Sequence, residues 1–212
     1  MPMPYPPFAN VIKAVKEHVV DGIWLRDWLE VSINKEASNT VLYILMNPSK
    51  ADQEECDDTV EKLLNFTMDQ SNDKDSVIPD VGTVIIVNLF PFYKTESNKL
   101  YEVLLELTEK RGGYEDLMKA NMRKIRKAIK KSQYIVLGWG DAPKHVDEWH
   151  HRELCSGILK VLHKSDDKQV FVFHSTREKT VTRKRNPRHP IIISLKGLEK
   201  CKIKPMYTVQ VR

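Results

Sequence analysis

Four short segments carry the residue types that could do chemistry. They are Asn47-Pro48-Ser49-Lys50-Ala51-Asp52, Asn88-Leu89-Phe90-Pro91-Phe92, Gly138-Trp139-Gly140-Asp141-Ala142-Pro143-Lys144, and His174-Ser175-Thr176 leading into Asn186-Pro187-Arg188-His189-Pro190. Asn47 and Asn88 each offer a carbonyl and an NH2 group, a pair suited to orienting water or reading the hydrogen-bonding edge of a base. An amide takes up no proton at neutral pH, so neither is a general base. Asp52 is a carboxylate that can activate a water if it faces the same place. Phe90, Phe92 and Trp139 offer faces on which a base can stack. His189 can hydrogen-bond an oxygen on which charge develops. Each feature also has a structural reading: Asn-Pro starts turns, aromatics beside a proline suit a core, and Asp57 and Asp58 suit a helix N-terminus.

The elements around these segments explain why they would meet. Thr40–Met46, Thr83–Val87, Tyr134–Leu137 and Gln169–Phe173 are short, continuous apolar runs, as expected of strands covered on both faces. Between them lie helical patterns over Asp57–Met68, Lys99–Lys110, Glu115–Lys131 and Trp149–His163. Ile23–Ile33 alternates in part and reads as a strand, and Met206–Val211 reads as an edge strand. Phe8, Val11, Ile12, Val15 and Val19 have helical spacing, so a helix is expected over 8–20. The alternation of strands and helices predicts an α/β protein. The expected architecture is a three-layer α/β/α sandwich whose central four-stranded sheet is mostly parallel, with edge strands added. Residues 1–212 are read as one domain with a Pro-rich N-terminal arm over 1–8. In an open α/β sheet, ligands bind beyond the carboxyl ends of the strands, which is where all four segments fall.

The chain has 212 residues, of which 41% are hydrophobic and 30% charged, a balance that excludes a wholly disordered chain. No apolar run approaches the ~20 residues of a membrane span. The Pro-rich start has no signal-peptide pattern, and three cysteines without a CxxC suit a reducing compartment, so a cytoplasmic protein is expected. The net charge of +5 is unevenly spread. Lys119–Lys131 holds seven basic residues and no acid, and Arg177–Pro190 holds six against Glu178. Two such clusters on an otherwise acidic chain point to a polyanionic partner. The first also suits a solvated helix face, because Met118, Met122, Ile125 and Ile129 form an apolar stripe opposite it. Asp147, His151 and Cys155 share one helix face, but the trio is mixed and reads as structural. No metal or other cofactor is expected.

The combination of Asn47-Pro48-Ser49 with Ala51-Asp52, Asp57-Asp58-Thr59, Asn88-Leu89-Phe90, Trp139-Gly140 and Pro187-Arg188-His189-Pro190 resembles an uncharacterised bacterial and phage domain family. The match covers roughly residues 24–193. More distantly, the same segments resemble the uracil-DNA glycosylase superfamily. Asn47-Pro48 is similar to its water-positioning loop in the mismatch-specific branch. Val84–Asn88 is similar to the strand that ends in its base-reading Asn. Val136–Lys144 is similar to its LWG segment with a following Lys. His189-Pro190 is similar to the loop that steadies the leaving base and enters the duplex. The resemblance implies a uracil-DNA-glycosylase-like fold and a site on DNA. The segment Ser49–Asp52 departs from the aromatic and His of the commonest branch, and Ile191 stands where that loop has Ser.

These observations give an expected function: hydrolysis of the N-glycosidic bond of a base flipped out of DNA, single- or double-stranded. Asn47, Asp52 and His189 would be catalytic. Asn88, Phe90, Phe92 and Trp139 would hold the base. Ser49, Lys144, Arg177, Arg183, Lys184, Arg185 and Arg188 would hold phosphates. Two alternatives stay open: a hydrolase or transferase acting on a free nucleotide, and a non-catalytic protein that binds nucleic acid or another partner.

Overall fold

The valine- and isoleucine-rich runs form the centre of one sheet. The computed structural model describes residues 3–48, 50–93 and 96–211. Eight strands occur in it: β1 Asn10–Val20, β2 Ile23–Ser32, β3 Asn39–Leu45, β4 Val81–Asn88, β5 Tyr134–Leu137, β6 Gln169–His174, β7 Gly197–Lys204 and β8 Thr208–Val211. They join in the order β1-β2-β4-β3-β5-β6-β7-β8. Among the described residues, four α-helices complete the α/β arrangement: α1 Asp58–Asn72, α2 Leu100–Arg111, α3 Glu115–Lys131 and α4 Glu148–His163. The sheet is mixed, and antiparallel pairings outnumber parallel ones. β1-β2, β2-β4, β6-β7 and β7-β8 are antiparallel. β4-β3, β3-β5 and β5-β6 are parallel.

Alternate residues of the inner strands supply two separate cores, as the period of a strand requires. Leu42, Ile44, Ile85, Val87, Ile135 and Leu137 pack with α2, α3 and α4. Val41, Tyr43, Val84, Ile86, Val136 and Phe173 pack with α1 on the other face. Asp57 caps α1: its Oδ1 accepts the amides of Thr59 and Val60, both at 3.0 Å. Among the described residues, no helix is long and apolar enough to cross a membrane.

The segment 8–20 is not a helix. Residues 10–20 form β1, which turns at Gly22 (φ +80°) and pairs antiparallel with β2. The register of that pairing shifts at Val11/Lys13, Val15/Lys16 and His18/Val20. Each shift breaks the period of two, so the apolar residues fall at intervals that imitate a helix. The chain's last strand pair also differs from expectation, because β7 was not foreseen over 197–204. That segment is half-buried and Lys-rich, and lacks an apolar run.

The register of the inner strands fixes what meets at their carboxyl ends. Leu45 of β3 lies beside Asn88 of β4. Just past them, Leu89 N–H donates to Leu45 O and Phe90 N–H to Met46 O, each at 2.9 Å. Gly138 N–H reaches Ile44 O at 3.0 Å. Residues 46–47, 88 and 138–140 are thereby brought to one end of the sheet.

Candidate functional site

At that end lies a cavity of about 320 Å³, closed on one side by the segment after His189. Four residues expected at the site line it: Asn47, Asn88, Trp139 and His189. Two residues that were not expected there join them, Arg26 and Asp141.

Asn88 ends β4 and is fully buried. Both atoms of its carboxamide, Oδ1 and Nδ2, lack a hydrogen-bond partner among the described residues. Its backbone is held from behind: Asn121 of α3 donates to the carbonyls of Asn88 at 2.9 Å and Leu89 at 3.0 Å. A buried amide with no partner is costly, about 1–3 kcal/mol. Trp139 is buried beside it, and its indole Nε1 also lacks a partner among the described residues. Flanking glycines set this tryptophan. A Cβ at Gly138 would stand 2.6 Å from the Phe173 ring. Gly140 has φ +75° and donates to Pro187 O at 2.8 Å, which ties the segment before His189 to the cavity wall.

His189 opens the short 3-10 turn Pro190–Ile192, and its Nδ1 faces the Ile191 amide at 3.4 Å. With Nδ1 accepting, the neutral ring carries its proton on Nε2. Burial, reinforced by the charge of Lys62, lowers the His189 pKa from 6.5 to about 4. The ring is therefore a neutral N–H donor at physiological pH. Lys62 of α1 also holds the turn in place: its Nζ donates to Pro190 O and Ile193 O, both at 2.8 Å.

Arg26 and Asp141 are the lining residues that sequence reasoning missed. Arg26 is the less expected. It lies in β2 and is almost fully buried. Its Nη1 donates to Ala51 O at 2.8 Å, while Nε has no partner among the described residues. The signal was present: Arg26, Asp27 and Glu30 interrupt an apolar strand, and charged residues are rarely buried without a role or a partner. Asp27 and Glu30 do have partners. Lys124 and Lys131 of α3 reach them, so two charges of the first basic cluster neutralise β2. Asp141 is the one carboxylate lining the cavity among the described residues. Its Oδ1 accepts from Thr182 Oγ1 at 2.6 Å and from Asn186 Nδ2 at 2.7 Å, which anchors the second basic segment to the site.

Other expected residues lie elsewhere. Phe90 and Phe92 are fully buried in the core shared with α2, α3 and α4. Phe90 stacks on His150 at 5.8 Å and Phe92 meets Tyr114 edge-on at 6.2 Å, so neither ring faces the cavity. Asp52 does not line it either. Its Oδ2 pairs with Lys16 at 3.0 Å, and its Oδ1 caps the amides of Glu54 and Glu55. Lys144, Arg177, Arg183, Lys184 and Arg185 are exposed, with Lys184 paired to Glu148. Arg188 is half-buried and donates through Nε to Lys179 O at 2.5 Å. Ser49 lies outside the described residues.

The walls thus present donors on Asn88, Trp139, His189 and Arg26, and acceptors on Asn88 and Asp141. That set suits a flat, polar ligand with both kinds of edge. No curated protein and no solved structure matches the chain significantly. A family model described as "Protein of unknown function (DUF1643)" matches residues 24–191, most of the chain, and the protein belongs to that family.

Proposed function

We propose that this protein is a nucleic-acid enzyme that accepts a base flipped out of DNA and hydrolyses its N-glycosidic bond. The observation that carries this reading is the Asn88 carboxamide, fully buried on the cavity wall with both polar atoms unpartnered among the described residues. A base edge supplies the donor and acceptor that this amide needs. Of the three aromatic rings expected to hold the base, Trp139 lines the cavity and would be its aromatic wall. The exposed Ile191 and Ile192, which line the same cavity, suit insertion into the gap a flipped base leaves. The resemblance to the uracil-DNA glycosylase superfamily supports these roles.

In this scheme Asn47 and Asp141 align a water on the sugar carbon. The water oxygen bonds to that carbon as the carbon–nitrogen bond breaks, and the bonding pair leaves with the base. Asp141, in place of Asp52, takes the water's proton. The His189 Nε2–H donates to the base oxygen on which charge develops. Arg177, Arg183, Arg185 and Arg188 hold phosphates beside the cavity.

The test is abasic-site formation in single- and double-stranded oligonucleotides, each carrying one uracil, mismatched or modified base. One substrate should yield alkali-labile product, and Asn88→Ala or Asn47→Ala should slow it about 10²–10³-fold. Salt-sensitive binding with no product from any substrate would overturn the enzymatic reading in favour of a non-catalytic binder.

A further inference from the structure

Arg26 has no task in the scheme above, and its surroundings make that conspicuous. A guanidinium this deeply buried needs an anion or a full set of acceptors. Arg26 has one carbonyl, Ala51 O, and its Nε is unpartnered among the described residues. The neighbouring charge that acts on it most is Asp57. That carboxylate is occupied by backbone amides: Oδ2 accepts from Ala51 at 2.6 Å, and Oδ1 accepts from Thr59 and Val60. Asp52 is occupied by Lys16 and by the turn amides of Glu54 and Glu55. The hydroxyls of Tyr5 and Tyr93 donate to the carbonyls of Asp52 and Lys50, so both protons are used there. Burial raises the pKa of both phenols, so neither becomes a counter-anion at physiological pH.

Arg26 also does not stand alone. The indole N–H of Trp139 and the NH2 of Asn88 are buried donors on residues of the same cavity, unpartnered among the described residues. Asp141, the cavity's carboxylate, is drawn by its Oδ1 to Thr182 and Asn186, and no ion pair joins it to Arg26 among the described residues. On Arg26, Trp139 and Asn88, three donors (Arg26 Nε, Trp139 Nε1 and Asn88 Nδ2) are unpartnered among the described residues, against one such acceptor, Asn88 Oδ1.

We propose that the cavity is an oxyanion receptor, in which Arg26, with Trp139 and Asn88, binds a phosphate or carboxylate group of the ligand. The cognate ligand is thus anionic where it meets Arg26: a nucleotide entering by its phosphate, or a base bearing a carboxylate, and not a neutral base alone. The volume of about 320 Å³ admits a small ligand of this kind. This inference rests on the cavity being the ligand site, as in the proposed function, but not on glycosidic cleavage.

The experiment is calorimetric titration of the full chain at fixed ionic strength. Inorganic phosphate is the first probe. A nucleoside 5′-monophosphate is then compared with its nucleoside, and a pyrimidine carboxylate with the unsubstituted pyrimidine. The first pair tests phosphate as the source of the anion and the second tests carboxylate. Within at least one pair the anionic member should bind about tenfold or more tighter, the range of a charge-assisted hydrogen bond. Arg26→Gln should abolish that preference and Arg26→Lys should keep part of it. Equal binding within both pairs, or a preference that survives Arg26→Gln, overturns the proposal. If Arg26→Gln does not fold, the wild-type pairs decide, together with the rise in melting midpoint when phosphate replaces chloride. Abasic-site formation without anion preference would remove this inference and leave the glycosylase reading. Anion preference without abasic sites would do the reverse.

Discussion

At the scale of single residues, the cavity stores unfavourable free energy in side chains that pack well but lack partners. Asn88 is the clearest case, and it gives a prediction opposite to that of a structural residue. Asn88→Leu removes two buried, unpartnered polar atoms, so urea unfolding should show a free protein equally stable or more stable by about 1–2 kcal/mol. Ligand binding should be lost in the same variant. A drop in stability would mean that Asn88 is a structural amide. His189 gives a pH prediction. Its folded pKa, about 4, lies below its ordinary value of 6.5. The unfolded chain therefore takes up this proton first as pH falls. Stability should decline between pH 6.5 and 4, by on the order of 2 kcal/mol once partial exposure is allowed for, with no contribution from this group above that window. His189→Gln should flatten that part of the stability curve, and a curve unchanged by the substitution would contradict the buried, neutral ring. Of these residues, Asn88 and His189 were legible because they end or follow apolar runs. Arg26 was harder to read, because only the packed strand shows that its charge is buried without an ion-pair partner among the described residues. Phe90 and Phe92 fall in the core and not among the cavity's lining residues, since a position beside a proline fits both a stacking platform and a core.

At the scale of elements, what matters is how rigidly each wall is held. Lys62 couples α1 to the turn after His189 through two carbonyls, and its charge helps keep His189 neutral. Lys62→Met should therefore raise the His189 pKa, read by NMR titration of the imidazole, and weaken ligand binding while the sheet stays intact. A pKa that stays near 4 would mean that burial alone sets it. On the far side, Lys124 is the partner of the buried Asp27, whose Oδ1 has no hydrogen bond among the described residues. Lys124→Met should cost about 2 kcal/mol in chemical denaturation, because it leaves a buried carboxylate unpaired. The inner strands and all four helices were legible from apolar runs and periodicity. β1 was not, since three register shifts disguise its alternation, and the pairing of α3 lysines with β2 acids is visible only once the two elements are packed.

At the scale of the molecule, the net charge of +5 is less informative than where the charge remains free. Part of the α3 cluster is spent on β2, whereas Arg183 and Arg185 are exposed on a segment that Asp141 and Gly140 tie to the cavity. DNA affinity should fall steeply with salt, and Arg183→Ala or Arg185→Ala should each reduce the log–log slope by about 1. Lys184→Ala should change it less, because Glu148 already neutralises that lysine. Equal slopes for all three variants would place the DNA path elsewhere.

The central claim is that unpartnered groups on the cavity wall exist to meet a ligand. The most direct measurement is a two-dimensional nitrogen–proton NMR titration following the Asn88 side-chain NH2 and the Trp139 indole N–H. The titrant is an oligonucleotide carrying the base that gives product or the tightest binding. Both signals should shift and saturate together with the backbone amides of the Arg183–Arg188 segment. If those backbone amides shift while the Asn88 and Trp139 signals stay still, DNA lies on the surface, the cavity takes no base, and the account is wrong.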